Sequence, residues 1–354
     1  PMRCPAPFFE PPQALEHKPS FADIPLSLRE KIADICGSPV MDGAILHGSL
    51  SATAGFVLTL QDGQKIFAKG SHPQEMSHGT LHIRSEAYAY QVLPALKSIA
   101  PRFIGLVSDD NEDGWTLGLW DYIARDKADA PDVDIADVMR KIASVHKSEI
   151  PATFTASAAA HNYLSLFLRD EKKWQRVRGE AKIKDKLLSV FEDEQAHLWL
   201  DRQLDSLCAM QAAVPAFDFQ TGLIHGDLRL DNILAAPPHT YIVDWPNACR
   251  GPVVFDVLML SVHLESLGYG RAEDFISLYD VAAGTAFAQK NNQELMIMAA
   301  SMAGFFADQV YRVLPEKMPR LRWMQKSLFF GLLSLMNRHG RIESPPRMSG
   351  LLRI

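Results

Sequence analysis

Two periodicities divide this chain. Between Ala44 and Trp120 the apolar residues fall in short runs bounded by turn formers, as strands do. Beyond Ile123 they recur every three or four positions, as on amphipathic helices. The first part predicts strands at Ala44–His47, Phe56–Leu60 and Lys65–Ala68, with Asp62-Gly63 as a hairpin turn between the last two. A helix over Arg84–Leu96 and strands at Phe103–Val107 and Trp115–Trp120 follow, the two strands separated by the polar stretch Ser108–Gly114. Ahead of them, Pro25–Cys36 reads as a short amphipathic helix stopped by Gly37, and the Pro- and aromatic-rich residues before it read as an extended arm.

The second part predicts helices at Ile135–His146, where Val138, Ile142 and Val145 share a face, and at Tyr163–Val177, where Phe167, Glu171 and Trp174 do. Further helices are expected at Glu194–Ala212, Phe255–Leu267, Ala272–Gln289, Gln293–Val313 and Leu321–Arg338. One pair of strand-like runs, Leu223–Ile224 and Tyr241–Val243, interrupts them.

Composition narrows the class. A chain of 354 residues exceeds the usual single core, so two lobes are expected. A net charge of −6 leaves no footprint for nucleic acid. The four cysteines are far apart with no CxxC pair, and read as buried small side chains rather than a disulfide or zinc framework. The uncharged run Leu295–Ala307 is shorter than the ~18–20 residues of a membrane span. No targeting signal stands out near Met2, so a cytoplasmic enzyme without membrane or nucleic-acid partners is expected. Composition says nothing of the oligomeric state.

The chemistry concentrates in Leu223-Ile-His-Gly-Asp-Leu-Arg-Leu-Asp-Asn-Ile-Leu234 and Tyr241-Ile-Val-Asp-Trp245. Phosphoryl transfer needs a carboxylate to take a hydroxyl proton, and an amide with a second carboxylate to hold Mg²⁺. Asp227, Asn232 and Asp244 supply those groups in that order. These motifs resemble the aminoglycoside phosphotransferase and choline kinase family, relatives of the protein kinases. His225-Gly-Asp227 stands where those enzymes carry the catalytic loop, and Asp244-Trp245 where they carry the metal-binding Asp-Phe-Gly.

The resemblance implies an α+β, protein-kinase-like bilobal fold. It would have an arm and helix over residues 1–43, a small antiparallel-sheet lobe with one helix over 44–120, and a helical lobe over 121–354. It also implies ATP (or GTP) and Mg²⁺ as cofactors. Asp227 would then be the catalytic base, or the group that orients the attacking hydroxyl; Asn232 and Asp244 would carry the metal. Lys69 would bind the α- and β-phosphates, held by Glu86. Arg229 would neutralise the γ-phosphoryl oxygens, or else form a surface salt bridge with Asp231. Gly48–Gly55 would cover the phosphates, with Ser49, Ser51 and Thr53 donating hydroxyls, although it departs from GxGxxG and small residues also suit a plain hairpin turn. Adenine would be read by backbone near Asp121 and Ile123. His225 would buttress the loop, and Asp256 would tie it down or cap the next helix.

Eleven residues separate Asp244 from Asp256, too few for the peptide-binding activation segment of a protein kinase, and Ala-Pro-Glu is absent from that stretch. The acceptor is therefore expected to be a small hydroxyl compound, with Ala156–Leu204 shaping its pocket. From Phe255 onward nine acidic residues face eleven Lys and Arg, so that lobe is not the carboxylate-rich cradle a polycationic aminoglycoside would favour. An amino sugar, another sugar, a choline-like amino alcohol or an amino-acid hydroxyl remains open. The competing readings are a non-catalytic nucleotide-binding regulator and a protein kinase.

Overall fold

The computed structural model describes residues 6–13, 18–47, 53–72, 79–109, 114–124, 133–168, 173–314 and 318–352. The small lobe runs α1 (Leu26–Cys36), β1 (Val40–Ile45), β2 (Ala54–Leu60), β3 (Lys65–Ser71), α2 (Gly79–Val92), β4 (Phe103–Ser108) and β5 (Thr116–Asp121). The five strands form one antiparallel sheet in the order β1-β2-β3-β5-β4. Alternation along the strands sorts its two faces. Phe56, Leu58, Ile66, Ala68, Leu117 and Leu119 pack with Leu28 and Ile32 of α1 on one side. Phe67 and Trp120 point the other way, into the core shared with α2 and the large lobe. Lys69 shares the parity of Phe67, so the alternation that buries Ala68 turns Lys69 toward the cleft.

The large lobe holds α3 (Ile135–His146), α4 (Ala158–Leu168), α5 (Lys173–Gly179), α6 (Ala181–Leu188) and α7 (Ala196–Ala212). Four short strands come next: β6 (Thr221–Ile224), β7 (Ile233–Ala236), β8 (His239–Ile242) and β9 (Cys249–Pro252). Helices α8 (Val253–Ser266), α9 (Ala272–Ala283), α10 (Gln293–Gln309) and α11 (Leu321–Arg338) complete it. Every residue of α8 is buried, which accounts for its lack of a polar stripe: it is the central post against which α9, α10 and α11 pack.

The kinase-like expectation holds, and the boundaries move for identifiable reasons. The helix expected over Arg84–Leu96 begins at Gly79 and ends at Val92, because Pro94 cannot continue it and restricts the residue before it. Gly284, at φ 75°, closes α9 at Ala283 rather than at Gln289. The single helix expected over Tyr163–Val177 is described as two, α4 and α5, flanking residues 169–172. Their anchors differ: Phe167 packs on Phe255 and Phe305, whereas Trp174 donates its indole N–H to the Ala300 carbonyl at 2.8 Å. Helix α6 was not foreseen.

Because α1 seals the outer face of the sheet, Ile32→Ala is expected to destabilise the protein by about 2–5 kcal/mol, as large-to-small core changes do. Chemical denaturation measures this; an unchanged midpoint would mean that α1 is a detachable arm.

Candidate active site

Two short antiparallel ladders frame the site. β6 pairs with β9 and β7 with β8, so the loop of residues 225–232 and the loop of residues 243–248 emerge side by side. The Val243 amide donates to the Asn232 carbonyl at 2.9 Å, joining the loops directly. His225 is fully buried and bridges them again. Its Nε2–H donates to the Val243 carbonyl at 2.9 Å, its Nδ1 accepts the Asp227 amide at 3.2 Å, and its ring lies 4.5 Å from that of Trp245. Both ring nitrogens are thus engaged in holding backbone, the buttress expected from the sequence.

Asp256 is the anchor beneath. Its carboxylate, wholly buried, accepts the His225 amide at 2.6 Å and the Gly226 amide at 3.0 Å. His146 of α3 also lies 3.2 Å away through Nε2, while its Nδ1 meets the Tyr279 hydroxyl at 2.8 Å. Asp256 sits inside the first turn of α8 and Pro252 occupies the cap, so it ties the loop down and does not cap the helix. Gly226 adopts φ 83°, and a Cβ there would fall 2.7 Å from the Asn247 carbonyl oxygen, so no other residue fits.

On this frame the sequence-predicted residues gather in two clusters. In the first, Asp227 lies beside Arg229, whose Nη1 is 2.6 Å from Asp227 Oδ1. The same guanidinium makes two 3.0 Å bonds to Asp231. The salt bridge to Asp231 is therefore present, but it is buried and it includes Asp227. Burial pushes the Asp227 pKa up and Arg229 works against that. Burial acts on Asp231 likewise, yet there Arg229 prevails and holds the carboxyl at about 2. The Asn232 side-chain amide donates to the Asp227 carbonyl at 2.8 Å, which leaves its Oδ1 as the outward oxygen.

In the second cluster Lys69 reaches Asp244 at 2.6 Å and Glu86 at 2.8 Å. Burial alone would lower the lysine pKa, but the two carboxylates bracketing it raise it above its usual value. Glu86 also accepts the Trp245 amide at 3.3 Å, so one glutamate of α2 steadies both the lysine and the segment that carries Asp244. Asp244 has φ 70°, unusual for a residue with a side chain, and that turn aims its carboxylate at the cleft.

Two cations therefore face four carboxyl groups in a largely buried space, and burial raises the pKa of two of them, Glu86 and Asp227. The donor set suits a divalent cation of the magnesium kind, which takes one or two carboxylates and completes its shell with water and phosphate oxygens. No cluster of three or more His, Cys, Asp or Glu able to hold a metal by themselves occurs among the described residues.

The remaining expectations fall at the periphery. Thr53 is buried just ahead of β2; Ser49 and Ser51 lie outside the described residues. Asp121 ends β5 with its side chain taken by Arg102 at 2.8 and 3.1 Å, and its amide donates to the Arg102 carbonyl at 3.0 Å. Ile123 follows, half-buried, on the stretch that leaves β5 for the large lobe. Sequence reasoning missed Tyr163 of α4, whose phenol faces Asp227: burial first, and that carboxylate second, drive its pKa far up. Nothing in the local pattern marks it out, since it reads as one more apolar position of its helix. A cavity of about 510 Å³ lined by Phe8, Glu265, Arg271, Phe330 and Arg338 lies elsewhere and shares no residue with this site.

The sequence model of the phosphotransferase enzyme family matches residues 47–288, which spans both clusters. The chain belongs to the phosphotransferase enzyme family. It is accordingly a phosphotransferase. Its fold is similar to that of spectinomycin phosphotransferase APH(9)-Ia, solved with ADP and spectinomycin, with a TM-score of 0.62 at 11% identity over 90% of this chain and 100% of that one. It is also similar to a microcompartment-associated aminopropanol kinase, with a TM-score of 0.55 at 14% identity over 88% and 97%. A putative aminoglycoside phosphotransferase from Ralstonia eutropha JMP134 gives 0.50 at 18% identity over 83% and 93%. No curated protein matches the sequence significantly.

Two outcomes follow for this phosphotransferase. Replacing Asp256 by Ala leaves the His225 and Gly226 amides buried without an acceptor, at about 1–3 kcal/mol each, so the melting temperature and the activity should fall together. His263 accepts the Leu230 amide through Nδ1 at 3.1 Å, and burial, opposed by Asp231, lowers its pKa from 6.5 to about 4. The unfolded chain therefore takes up that proton first, and stability is lost as pH falls from 6.5 toward 4. By pH 5 the loss is on the order of 2 kcal/mol. Thermal melts at pH 7.5 and 5 should show a smaller acid-induced drop in His263→Gln than in the wild type.

Proposed function

We propose that this enzyme transfers the γ-phosphoryl group of ATP, with GTP as the alternative donor, to a hydroxyl of a small molecule. The observation that carries this reading is the ion pair between Lys69 of β3 and Asp244 at 2.6 Å, because it joins a lysine of one lobe to a carboxylate of the other, as a shared phosphate and metal site would require. With nucleotide bound, Lys69 would exchange Asp244 for α- and β-phosphate oxygens while Glu86 keeps the ammonium in place. Asn232 Oδ1 and the Asp244 carboxylate would hold Mg²⁺, which neutralises charge on the β- and γ-phosphates when bound.

Asp227 orients the acceptor hydroxyl for in-line attack. As the acceptor oxygen bonds to the γ-phosphorus, the bond to the β,γ-bridging oxygen breaks, ADP departs and the hydroxyl proton passes to the Asp227 carboxylate. The raised pKa of Asp227 favours that last step. Arg229 holds the carboxylate in position and sets positive charge beside the γ-phosphoryl oxygens, where negative charge spreads in the transition state. Backbone near Asp121 and Ile123 would read the base. The Asp121 amide is already committed to Arg102, which leaves that role to its neighbours.

The acceptor we infer is a sugar or an amino alcohol. Tyr163, half-buried and beside Asp227, gives the α4 side of the site an aromatic face for such a ring or carbon skeleton. A protein substrate is disfavoured by the short connection from Asp244 to Asp256, and a silent nucleotide sensor by the complete set of polar groups.

A screen of hydroxylated metabolites and aminoglycosides for stimulated ADP release is the direct test, with chelation of divalent metal expected to abolish turnover. Asp227→Asn should lower kcat by about 10²–10⁴-fold, the usual weight of a positioned acid or base, while the affinity for AMP-PNP stays near that of the wild type. Equal ATP turnover in the two proteins would instead point to a regulator.

A further inference from the structure

Charged and apolar residues alternate in Asp227-Leu-Arg-Leu-Asp231. Leu228 and Leu230 are buried in the core, and the Leu230 amide is held by His263 Nδ1 at 3.1 Å. Arg229 between them is extended, at φ −132° and ψ 165°, which turns its side chain away from both leucines. The 3₁₀ turn at Leu230–Asn232 then returns Asp231 to its side. A carboxylate, a guanidinium and a second carboxylate therefore stand in a row.

The guanidinium is shared unevenly between them. Asp231 takes two parallel bonds, from Nε to Oδ1 and from Nη2 to Oδ2, each 3.0 Å. Asp227 takes one, from Nη1 to Oδ1 at 2.6 Å. Two parallel bonds fix both the plane and the direction of a guanidinium, whereas a single bond lets it pivot. Asp231 thus decides where Nη1 stands, and Nη1 decides where Asp227 Oδ1 stands. The main chain of Asp227 is held too: its amide donates to His225 Nδ1 at 3.2 Å, and its carbonyl accepts Asn232 Nδ2 at 2.8 Å. The carboxylate oxygen that the guanidinium leaves unbonded is Oδ2.

We propose that Asp231 is a positioning residue for phosphoryl transfer: by clamping Arg229 it presents Asp227 Oδ2, and not Oδ1, to the acceptor hydroxyl. The inference rests on the phosphotransferase reading of the cleft. As the acceptor oxygen bonds to the γ-phosphorus and the bond to the β,γ-bridging oxygen breaks, the hydroxyl proton passes to Oδ2. Oδ1 stays on Arg229 throughout, so the carboxylate cannot swing about its Cβ–Cγ bond and exchange the two oxygens. Asp231 acts at one remove, setting the line of attack through the guanidinium.

The test is ATP hydrolysis by the full chain with Mg²⁺, water standing in for the acceptor, beside calorimetric titration with AMP-PNP and Mg²⁺. Asp231→Asn keeps the shape and removes the charge; it should lower kcat about tenfold or more and leave AMP-PNP affinity within about twofold. Arg229→Lys keeps the charge on a single nitrogen and should lose as much, and the double variant no more than either alone. Wild-type kcat in Asp231→Asn, or losses that multiply in the double variant, overturn the proposal. So does a loss confined to AMP-PNP affinity, which would place the effect on the neighbouring Asn232. If Asp231→Asn does not fold, Asp231→Glu replaces it: its extra methylene displaces the clamp, and the same loss is expected, wild-type kcat again overturning the proposal. Should the wild type bind no nucleotide, the phosphotransferase reading fails separately. The Arg229 Nε–H signal in ¹H–¹⁵N spectra, assigned by its absence in Arg229→Lys, then decides the clamp. It should be protected from exchange in the wild type and in Asp227→Asn and lose that protection in Asp231→Asn; unchanged protection there overturns the clamp.

Discussion

The fully buried carboxylate of Asp256, held to two consecutive backbone amides, is the constraint on which the rest of the site depends. A carboxyl group so deep in a protein is costly unless its oxygens are hydrogen-bonded. Here His225, Gly226 and His146 use them, and the cost becomes a means of fixing a loop that would otherwise have no secondary structure of its own. Because Asp256 rises from α8, whose residues are all buried, the loop of residues 225–232 inherits the rigidity of the large lobe's centre. The histidine then carries that order across to the neighbouring loop through its bond to Val243.

Above that scaffold the site is organised by charge. Lys69 is bracketed by Glu86 and Asp244, and Arg229 by Asp227 and Asp231, so each cation holds two carboxylates at a separation set by its own length. The surplus of carboxyl groups over cations would be unfavourable in a closed core. It becomes a virtue if a divalent cation and its phosphates are to complete the balance. The positive φ of Asp244 fits the same picture, since local strain is tolerated where the surrounding bonds over-determine a residue that must point at its ligand.

Much of this was legible before any coordinates. Asp227, Asn232 and Asp244 lie within a stretch that folds as two sequence-local ladders, so their spacing translates almost directly into proximity. The order of strands and helices placed Lys69 and Glu86, and their contact follows. Other features depend on contacts that no local pattern announces. Tyr163 lines the site from a helix whose periodicity marks only a buried face. His146 and Tyr279 meet across α3 and α9, and Lys18 near the N-terminus donates to the Thr53 carbonyl ahead of β2.

By itself, then, the sequence determined the periodicities, the turn and cap residues, and a candidate site segment whose members are close along the chain. Those properties depend on backbone geometry and on neighbours only a few residues away. Which helix faces which, and whether Arg229 sits on one carboxylate or two, were decided by tertiary packing. Such contacts pair surfaces that are far apart in the chain, and a buried apolar or ionic face specifies that it must be covered without specifying by what.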